Sequence, residues 1–84
     1  MEASIREEIE ASLANKSEET KIFVRAQIAL VEKYVALMNA NRYDRPLCAK
    51  LWREMKEKTQ AMGETYVAER AKLGLGPELG SARV

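Results

Sequence analysis

The sequence predicts an all-α protein: an antiparallel helical hairpin with a short N-terminal helix, self-associating through the hairpin. Three observations support this fold class. Hydrophobic residues make up 46% of the 84-residue chain and charged residues 32%, with only 4 Gly and 2 Pro to interrupt helices. Apolar residues recur every three or four positions. The stretch "NANRYDRP", residues 39–46, is the one convincing internal break. The length indicates one domain, residues 1–73, followed by a flexible tail at residues 74–84.

The first helix is predicted at about residues 4–14. Ser4 with Glu7 three positions later fits a capping box, and Ile5, Ile9 and Leu13 form an i, i+4 ridge. The pattern weakens after Leu13, and a new cap follows. From the sequence, the first two helices are either separate or one bent helix.

The second helix is predicted at residues 18–41. Either Asn15 or Ser17 caps it, and Glu18 and Glu19 lie in its first turn, where the helix dipole favours acids. The short break that follows predicts that the next helix folds back antiparallel.

The third helix is predicted at residues 45–73. Asp44 is placed to cap it, Pro46 is tolerated in its first turn, and Gly74 stands where a C′ glycine belongs. The polar side is predicted to carry three i, i+4 ion pairs: Lys50–Glu54, Arg53–Glu57 and Glu54–Lys58. One apolar stripe follows its length, made of Cys48, Leu51, Trp52, Met55, Thr59, Met62, Tyr66 and Leu73.

The second helix is apolar on nearly every side. It carries two large-residue stripes and a third stripe of small residues, which lets another backbone approach closely. One amphipathic helix covers one face, and a short first helix covers part of a second, so another copy of the chain is expected to cover the rest. The predicted oligomer interface comprises Phe23, Val24, Ala26, Ile28, Ala29, Leu30, Val31, Tyr34, Val35 and Leu37.

The residue types argue against several functions. The chain contains no histidine, and its one cysteine, Cys48, lies on an apolar stripe. This removes histidine-dependent nucleophiles and most zinc sites, so we expect no enzymatic activity, metal or cofactor. A lone cysteine, an acidic N-terminus without an apolar core region, and charges within the apolar stretch predict a cytoplasmic protein with no signal peptide or membrane span.

The charge is unevenly distributed, although the formal net charge is only +1. Residues 1–21 hold six acids and three bases, whereas residues 45–73 hold seven bases and four acids. Bases near the predicted turn, with aromatic residues between them, are candidates for weak nucleic-acid contact; alternatively they form an ordinary solvated face. The candidates are Arg42, Arg45, Lys50, Arg53 and Lys56.

The C-terminal stretch "AKLGLGPELGSARV" contains Leu73, Gly74, Leu75, Pro77 and Arg83 in a pattern that resembles the end of tailed-phage terminase small subunits. The third helix, with its Trp-Arg-Glu run at residues 52–54, is similar in kind. The resemblance implies a ring-forming, non-enzymatic adaptor that assists DNA packaging by recruiting a large motor ATPase subunit to DNA. It also implies that a terminal tail binds the motor, here through Leu75, Pro77, Leu79 and Arg83.

The residues alone leave a second hypothesis open. A small helical regulatory or inhibitor protein, binding a partner protein through its apolar helix face, has the same composition and periodicity. A third possibility is a helical-hairpin binder of RNA or DNA. The mass of the protein in solution distinguishes an assembly of many copies from an inhibitor.

Overall fold

A computed structural model describes residues 3–79 and places three helices in them: α1 (Ala3–Ser12), α2 (Glu18–Ala40) and α3 (Arg45–Lys72). The described part of the chain contains no strand. The predicted fold class, a helical hairpin preceded by a short helix, is therefore confirmed. The bounds of α2 and α3 lie within one residue of those predicted, whereas α1 ends two residues earlier.

The first two helices are separate, which settles the alternative that the sequence left open. Ser17 has an extended backbone (φ −71°, ψ 164°), so it cannot continue a helix, and it is the N-cap of α2. Its hydroxyl accepts the Thr20 backbone N–H at 3.4 Å. Before it, the Lys16 N–H bonds the Leu13 carbonyl at 3.0 Å and closes the turn.

The turn between α2 and α3 is built by Asn41 and Asp44. The Asn41 side chain donates to the Leu37 carbonyl at 2.8 Å and closes the last turn of α2. Asp44 caps α3 as predicted, because its Oδ1 accepts the Leu47 N–H at 3.1 Å. These bonds reverse the chain in four residues and make α2 and α3 antiparallel.

The hydrophobic core of the hairpin lies in its turn half. Tyr34 of α2 packs against Leu51 and Met55 of α3, and all three are less than 10% exposed. Leu30, Val31, Met38 and Leu47 flank them. The molecule is elongated, with a radius of gyration of 14.7 Å where a globular chain of this length has about 12 Å. Its core is therefore a thin strip between two helices.

Helix α1 runs antiparallel to α2 and attaches to it mainly by charge. Arg25 forms a bidentate ion pair with Glu10, in which Nε lies 3.0 Å from Oε2 and Nη2 lies 2.8 Å from Oε1. Arg6 forms a second ion pair with Glu32, nearer the C-terminal end of α2. No residue within α1 is buried, but Leu13 immediately after it is only 2% exposed. A buried leucine at one end and two exposed ion pairs along its length therefore fix α1.

The end of α3 forms a Schellman motif. Gly74 has a φ of +75°, which favours glycine, and its N–H bonds the Ala71 carbonyl at 2.9 Å. The Leu75 N–H reaches the Arg70 carbonyl, also at 2.9 Å. The predicted role of Gly74 is confirmed, and the motif turns the chain back toward the start of α2.

Candidate functional site

The outer face of α2 is a stripe of mostly small residues that stays exposed in the hairpin, with Ala29 bordering α1 and Ile22 bordering α3. We use the term "outer face" for residues at 4-3-4-3-4 spacing, all of them exposed: Ile22, Ala26, Ala29, Lys33, Ala36 and Ala40. Ile22 is 64% exposed, and Leu37 beside the stripe is 39% exposed. The spacing is that of a coiled-coil seam. The small-residue stripe predicted from the sequence is thus free to meet another helix.

Several residues of the predicted oligomer interface lie inside the chain instead. Tyr34 is only 3% exposed, and Leu30 and Val31 pack against it, so these three belong to the hairpin's own core. Phe23 stacks on Tyr66 of α3, with ring centroids 4.4 Å apart and planes 8° from parallel. Placing Tyr34 on a surface between copies was wrong, because α3 packs against the face of α2 that Tyr34 occupies.

The remaining predicted interface residues divide between two environments. Ile28 lines the crevice between α1 and α2, which the exposed Ala29 also borders, and Val24 is half-buried. Ala26, Ala29, Val35 and Leu37 are exposed. These four, of which Ala26 and Ala29 belong to the outer face, are the predicted interface residues still accessible to a partner.

The bases proposed for nucleic-acid contact lie on the outside of the turn and of the first half of α3. All are exposed, and among the described residues none forms an ion pair: Arg42, Arg45, Lys50, Arg53 and Lys56. Exposed aromatic rings accompany them, since Tyr43 is 88% exposed and Trp52 51% exposed. The Arg42 guanidinium lies 5.1 Å from the centre of the Tyr43 ring.

The three ion pairs predicted along α3 are not formed in this part of the chain, and that prediction was wrong. The Glu54 carboxylate instead accepts the Tyr34 hydroxyl at 3.3 Å, at the edge of the core. The Lys58 ammonium lies 5.6 Å from the centre of the same Tyr34 ring. The Glu54 charge is therefore drawn to the α2 side, away from the outward bases.

The open end of the hairpin holds a polar cluster centred on the Glu78 carboxylate. One oxygen of this carboxylate accepts the Ser17 backbone N–H at 3.0 Å and the Ser17 hydroxyl at 2.7 Å. The same oxygen accepts the Thr20 hydroxyl. These hydrogen bonds, from Thr20 and then from Ser17, lower the pKa of Glu78 from its ordinary 4.5 to about 2, and the Arg70 charge adds to the effect.

Arg70 and Tyr66 complete the cluster from α3. Arg70 is only 6% exposed, and its Nη1 donates to the Ser17 hydroxyl at 3.0 Å and to Glu19 at 3.1 Å. Its Nε donates to the Gly76 carbonyl at 2.9 Å. The Tyr66 hydroxyl accepts the Glu78 backbone N–H at 3.1 Å. Every buried polar side-chain atom among the described residues has a hydrogen-bond partner.

The first part of the predicted tail, residues 74–79, lies within the described residues. Residues 75–79 lie against the open end through the Gly76 carbonyl and Glu78. Of the predicted partner-binding residues, Leu75 and Pro77 are exposed and Leu79 is half-buried, whereas Arg83 lies outside the described residues. Sequence reasoning missed Arg70 and Glu78. A charged residue at position 70, four residues after Tyr66 on the apolar stripe, is the one signal that pointed to the cluster.

An apolar groove borders the cluster on the other side of Tyr66. Ile22 and Phe23 of α2 form one wall, and Ala61, Met62 and Thr65 of α3 form the other. Glu19 and Glu69 lie at its border. The groove and the outer face of α2 share Ile22, so an apolar surface continues from one to the other.

Within residues 3–79 no group of acids and cysteine is arranged to hold a metal ion. No helix in that range combines the length and apolar character needed to cross a membrane. Comparisons of the chain with family models, with curated proteins and with solved structures give no match.

Proposed function

We propose that this protein is a non-enzymatic helical adaptor whose copies assemble through the outer face of α2. The observation that carries the proposal is the uncovered stripe at 4-3-4-3-4 spacing. Its alanines allow a second helix to approach to about 8 Å between axes, where many weak van der Waals contacts add up. Ile22 and Leu37 provide larger apolar side chains beside the stripe.

Lys33, the one charged residue of the outer face, is compatible with this arrangement. Its ammonium lies 6.0 Å from the centre of the Tyr34 ring, which belongs to the hairpin core. A long side chain directed to that ring leaves only its methylene stem along the stripe. The neighbouring alanines stay accessible to another copy.

The finer proposal follows the resemblance to small terminase subunits. An assembly of hairpins would assist DNA packaging by bringing a large motor ATPase subunit to DNA. The bases of α3 and the outer face of α2 lie on different helices, and both are exposed. The segment after Gly74 would contact the motor. The unpaired Cys48 suits a reducing, cytoplasmic setting.

Static light scattering on a sizing column tests self-association directly. The wild-type chain is expected to have the mass of several copies over a range of concentrations. Ala36→Glu places a charge in the outer face and is expected to reduce the mass to that of one copy, with helical circular dichroism unchanged. Ala49→Glu, at an exposed alanine of α3 outside the stripe, is the matched control and should assemble normally.

Two results would contradict the proposal. A wild-type chain that stays monomeric at every concentration would exclude self-association. Assembly that survives Ala36→Glu as well as it survives the control would place the interface away from the outer face of α2. Leu30 is unsuitable for this test because it packs against the core, and a charge there would disturb the fold of one chain.

A second candidate is a small regulatory protein that inhibits a partner by binding it through an apolar face. The groove between Phe23 and Met62, open to solvent beside the exposed Ile22, favours it. A wild-type monomer in light scattering would make this candidate the leading one. Met62→Glu should then abolish binding to the partner, whereas Ala36→Glu should leave it intact.

A further inference from the structure

Residues 75–79 cross the open end of the hairpin and are held there at few points; we call them the strap. The Gly76 carbonyl accepts the Arg70 Nε–H at 2.9 Å, and Glu78 binds through its carboxylate and its backbone N–H. Leu75, Gly76 and Pro77 are otherwise exposed. A Cβ at Gly76 would meet nothing within 4 Å, so this part of the strap is not packed against the body.

The helices do not need the strap to stay paired. Their core of Tyr34, Leu51 and Met55 lies in the turn half. At the open end, the stack of Phe23 on Tyr66 also joins α2 to α3 without any atom of the strap. Segments with few buried contacts open locally at a lower free energy than the whole fold. Release of the strap is therefore a local event.

We propose that the strap is a releasable element, latched across the open end of the hairpin by a single carboxylate, that of Glu78. The carboxylate occupies a cradle formed by the first turn of α2 and by Arg70. The cradle supplies the Ser17 backbone N–H and the hydroxyls of Ser17 and Thr20, all directed at one carboxylate oxygen. The Arg70 guanidinium lies 3.8 Å from the same oxygen.

Other side chains of α2 and α3 keep the residues of the cradle in position. Arg70 is fixed by Glu19 at 3.1 Å as well as by Ser17, and Thr20 shares a hydrogen bond with Tyr66 at 2.6 Å. Thr20 is fully buried and Tyr66 is 6% exposed. Because these supports come from α2 and α3, the cradle persists when the strap leaves and accepts a free carboxylate in its place.

The latch determines whether Pro77 and Leu79 are held or free. If those residues contact a partner, as the proposed function has it, the latch controls how they are presented. The inference itself concerns one chain and does not require self-association.

Hydrogen exchange of backbone amides, measured by NMR on the full chain, tests the latch. Glu78→Gln and Glu78→Ala are expected to speed exchange at the residue 78 amide, which donates to Tyr66, by about tenfold or more, because a charge-assisted contact that holds the strap is lost. Amides in the middle of α2 and α3 should be accelerated far less, because the two helices stay paired when the strap opens. Glu64→Gln is the matched control, since Glu64 is exposed and, among the described residues, accepts only the Gln60 side chain, at 3.3 Å.

Two results would overturn the proposal. Unchanged exchange at the residue 78 amide in both Glu78 variants would mean that the carboxylate is not the latch. Equal acceleration in the strap and in the helices would mean that Glu78 supports the whole fold.

An acetate titration of the Glu78→Ala chain tests the cradle. Acetate is expected to shift the Ser17 amide resonance in a saturable way, and sodium chloride at equal ionic strength is not. The wild-type chain, whose cradle is occupied, should show no such shift. An unresponsive Ser17 amide in the variant would mean that the cradle does not exist without the strap. Light scattering on the same samples keeps this result separate from self-association.

Discussion

Thr20 and Tyr66 share a hydrogen bond of 2.6 Å between their hydroxyl oxygens, and it joins the first turn of α2 to the second half of α3. Thr20 also donates to the Glu78 carboxylate, which can only accept. The proton between Thr20 and Tyr66 must then come from Tyr66. Tyr66 donates to Thr20, Thr20 donates to Glu78, and the backbone N–H of Glu78 donates back to Tyr66.

This closed ring of donors predicts the effect of removing one hydroxyl. Tyr66→Phe keeps the ring that stacks on Phe23 but leaves the buried Thr20 oxygen and the Glu78 N–H without their partner. We expect the free energy of unfolding to fall by about 1–2 kcal/mol in urea titrations. Tyr43→Phe is the control, because Tyr43 is 88% exposed and its change should have no measurable effect.

Equal stability of the two variants would contradict the hydrogen-bond ring. A loss well above this range for Tyr66→Phe would indicate that the hydroxyl also fixes the stack on Phe23. The NMR exchange of the residue 78 amide distinguishes these outcomes.

The small core predicts a sharp difference between two leucines of the third helical segment. Leu51 is 9% exposed and packs against Tyr34, whereas Leu73 is 61% exposed. Leu51→Ala should lower the free energy of unfolding by about 2–4 kcal/mol, because it removes buried methyl groups and leaves a cavity. Leu73→Ala should cost less than about 1 kcal/mol. Similar losses in the two variants would contradict the exposed position of Leu73 and the burial of Leu51.

The sequence was sufficient for the elements that depend on local rules. Ser17 and Asp44 cap helices because their side chains reach backbone N–H groups three residues on, and Gly74 ends α3 because it tolerates a positive φ. The polar cluster was beyond sequence reasoning. Glu78 contacts Ser17 at a sequence separation of 61 residues, and no periodicity encodes such a contact.

The faces of α2 illustrate the same limit. Periodicity showed three apolar stripes but gave no means of ranking which of them α3 would cover. The structure places Tyr34 against α3 and leaves Ala26 and Ala29 exposed, because large side chains fill the space between helices better than alanines do. Of the predicted interface residues, these alanines therefore remain exposed, whereas Tyr34 does not.

The pKa of Glu78 predicts how stability depends on pH. Its folded-state pKa of about 2 lies below its ordinary 4.5, so the charged carboxylate stabilises the fold. This contribution is complete above the ordinary value and is lost as the pH falls toward about 2. Urea titrations from pH 6 downward should show the wild-type chain losing stability in that window.

Glu78→Gln supplies the comparison, because it removes the titrating group. The variant should be less stable than the wild type at pH 6, and the difference should shrink as the pH approaches 2. Glu10, whose pKa is lowered by its hydrogen bond from Arg25, contributes a loss of the same sign in both chains. A difference between the two chains that is independent of pH would contradict the assignment of the window to Glu78.

The ion pairs of α1 predict a selective response to salt. The Glu10 and Arg25 side chains are 43% and 53% exposed, so salt screens their attraction. Raising sodium chloride to about 1 M should speed hydrogen exchange in α1 while leaving the middle of α2 and α3 unchanged. Arg25→Gln at low salt should produce the same pattern. If neither the added salt nor Arg25→Gln alters the exchange rates of the α1 amides, the buried Leu13 alone holds the helix in place.

The outward bases of α3 predict a DNA affinity that depends on salt and on particular charges. Arg45 and Arg53 are exposed and, among the described residues, free of ion pairs, whereas Lys72 lies 3.6 Å from Glu69. Phosphate contact releases counterions, so the logarithm of the affinity for duplex DNA should fall linearly with the logarithm of the salt concentration. In fluorescence anisotropy, Arg45→Gln and Arg53→Gln should each reduce that slope by about 1, and the control Lys72→Gln should not. Equal slopes for all three variants would make this surface an ordinary solvated face, because a base that touches no phosphate displaces no counterion.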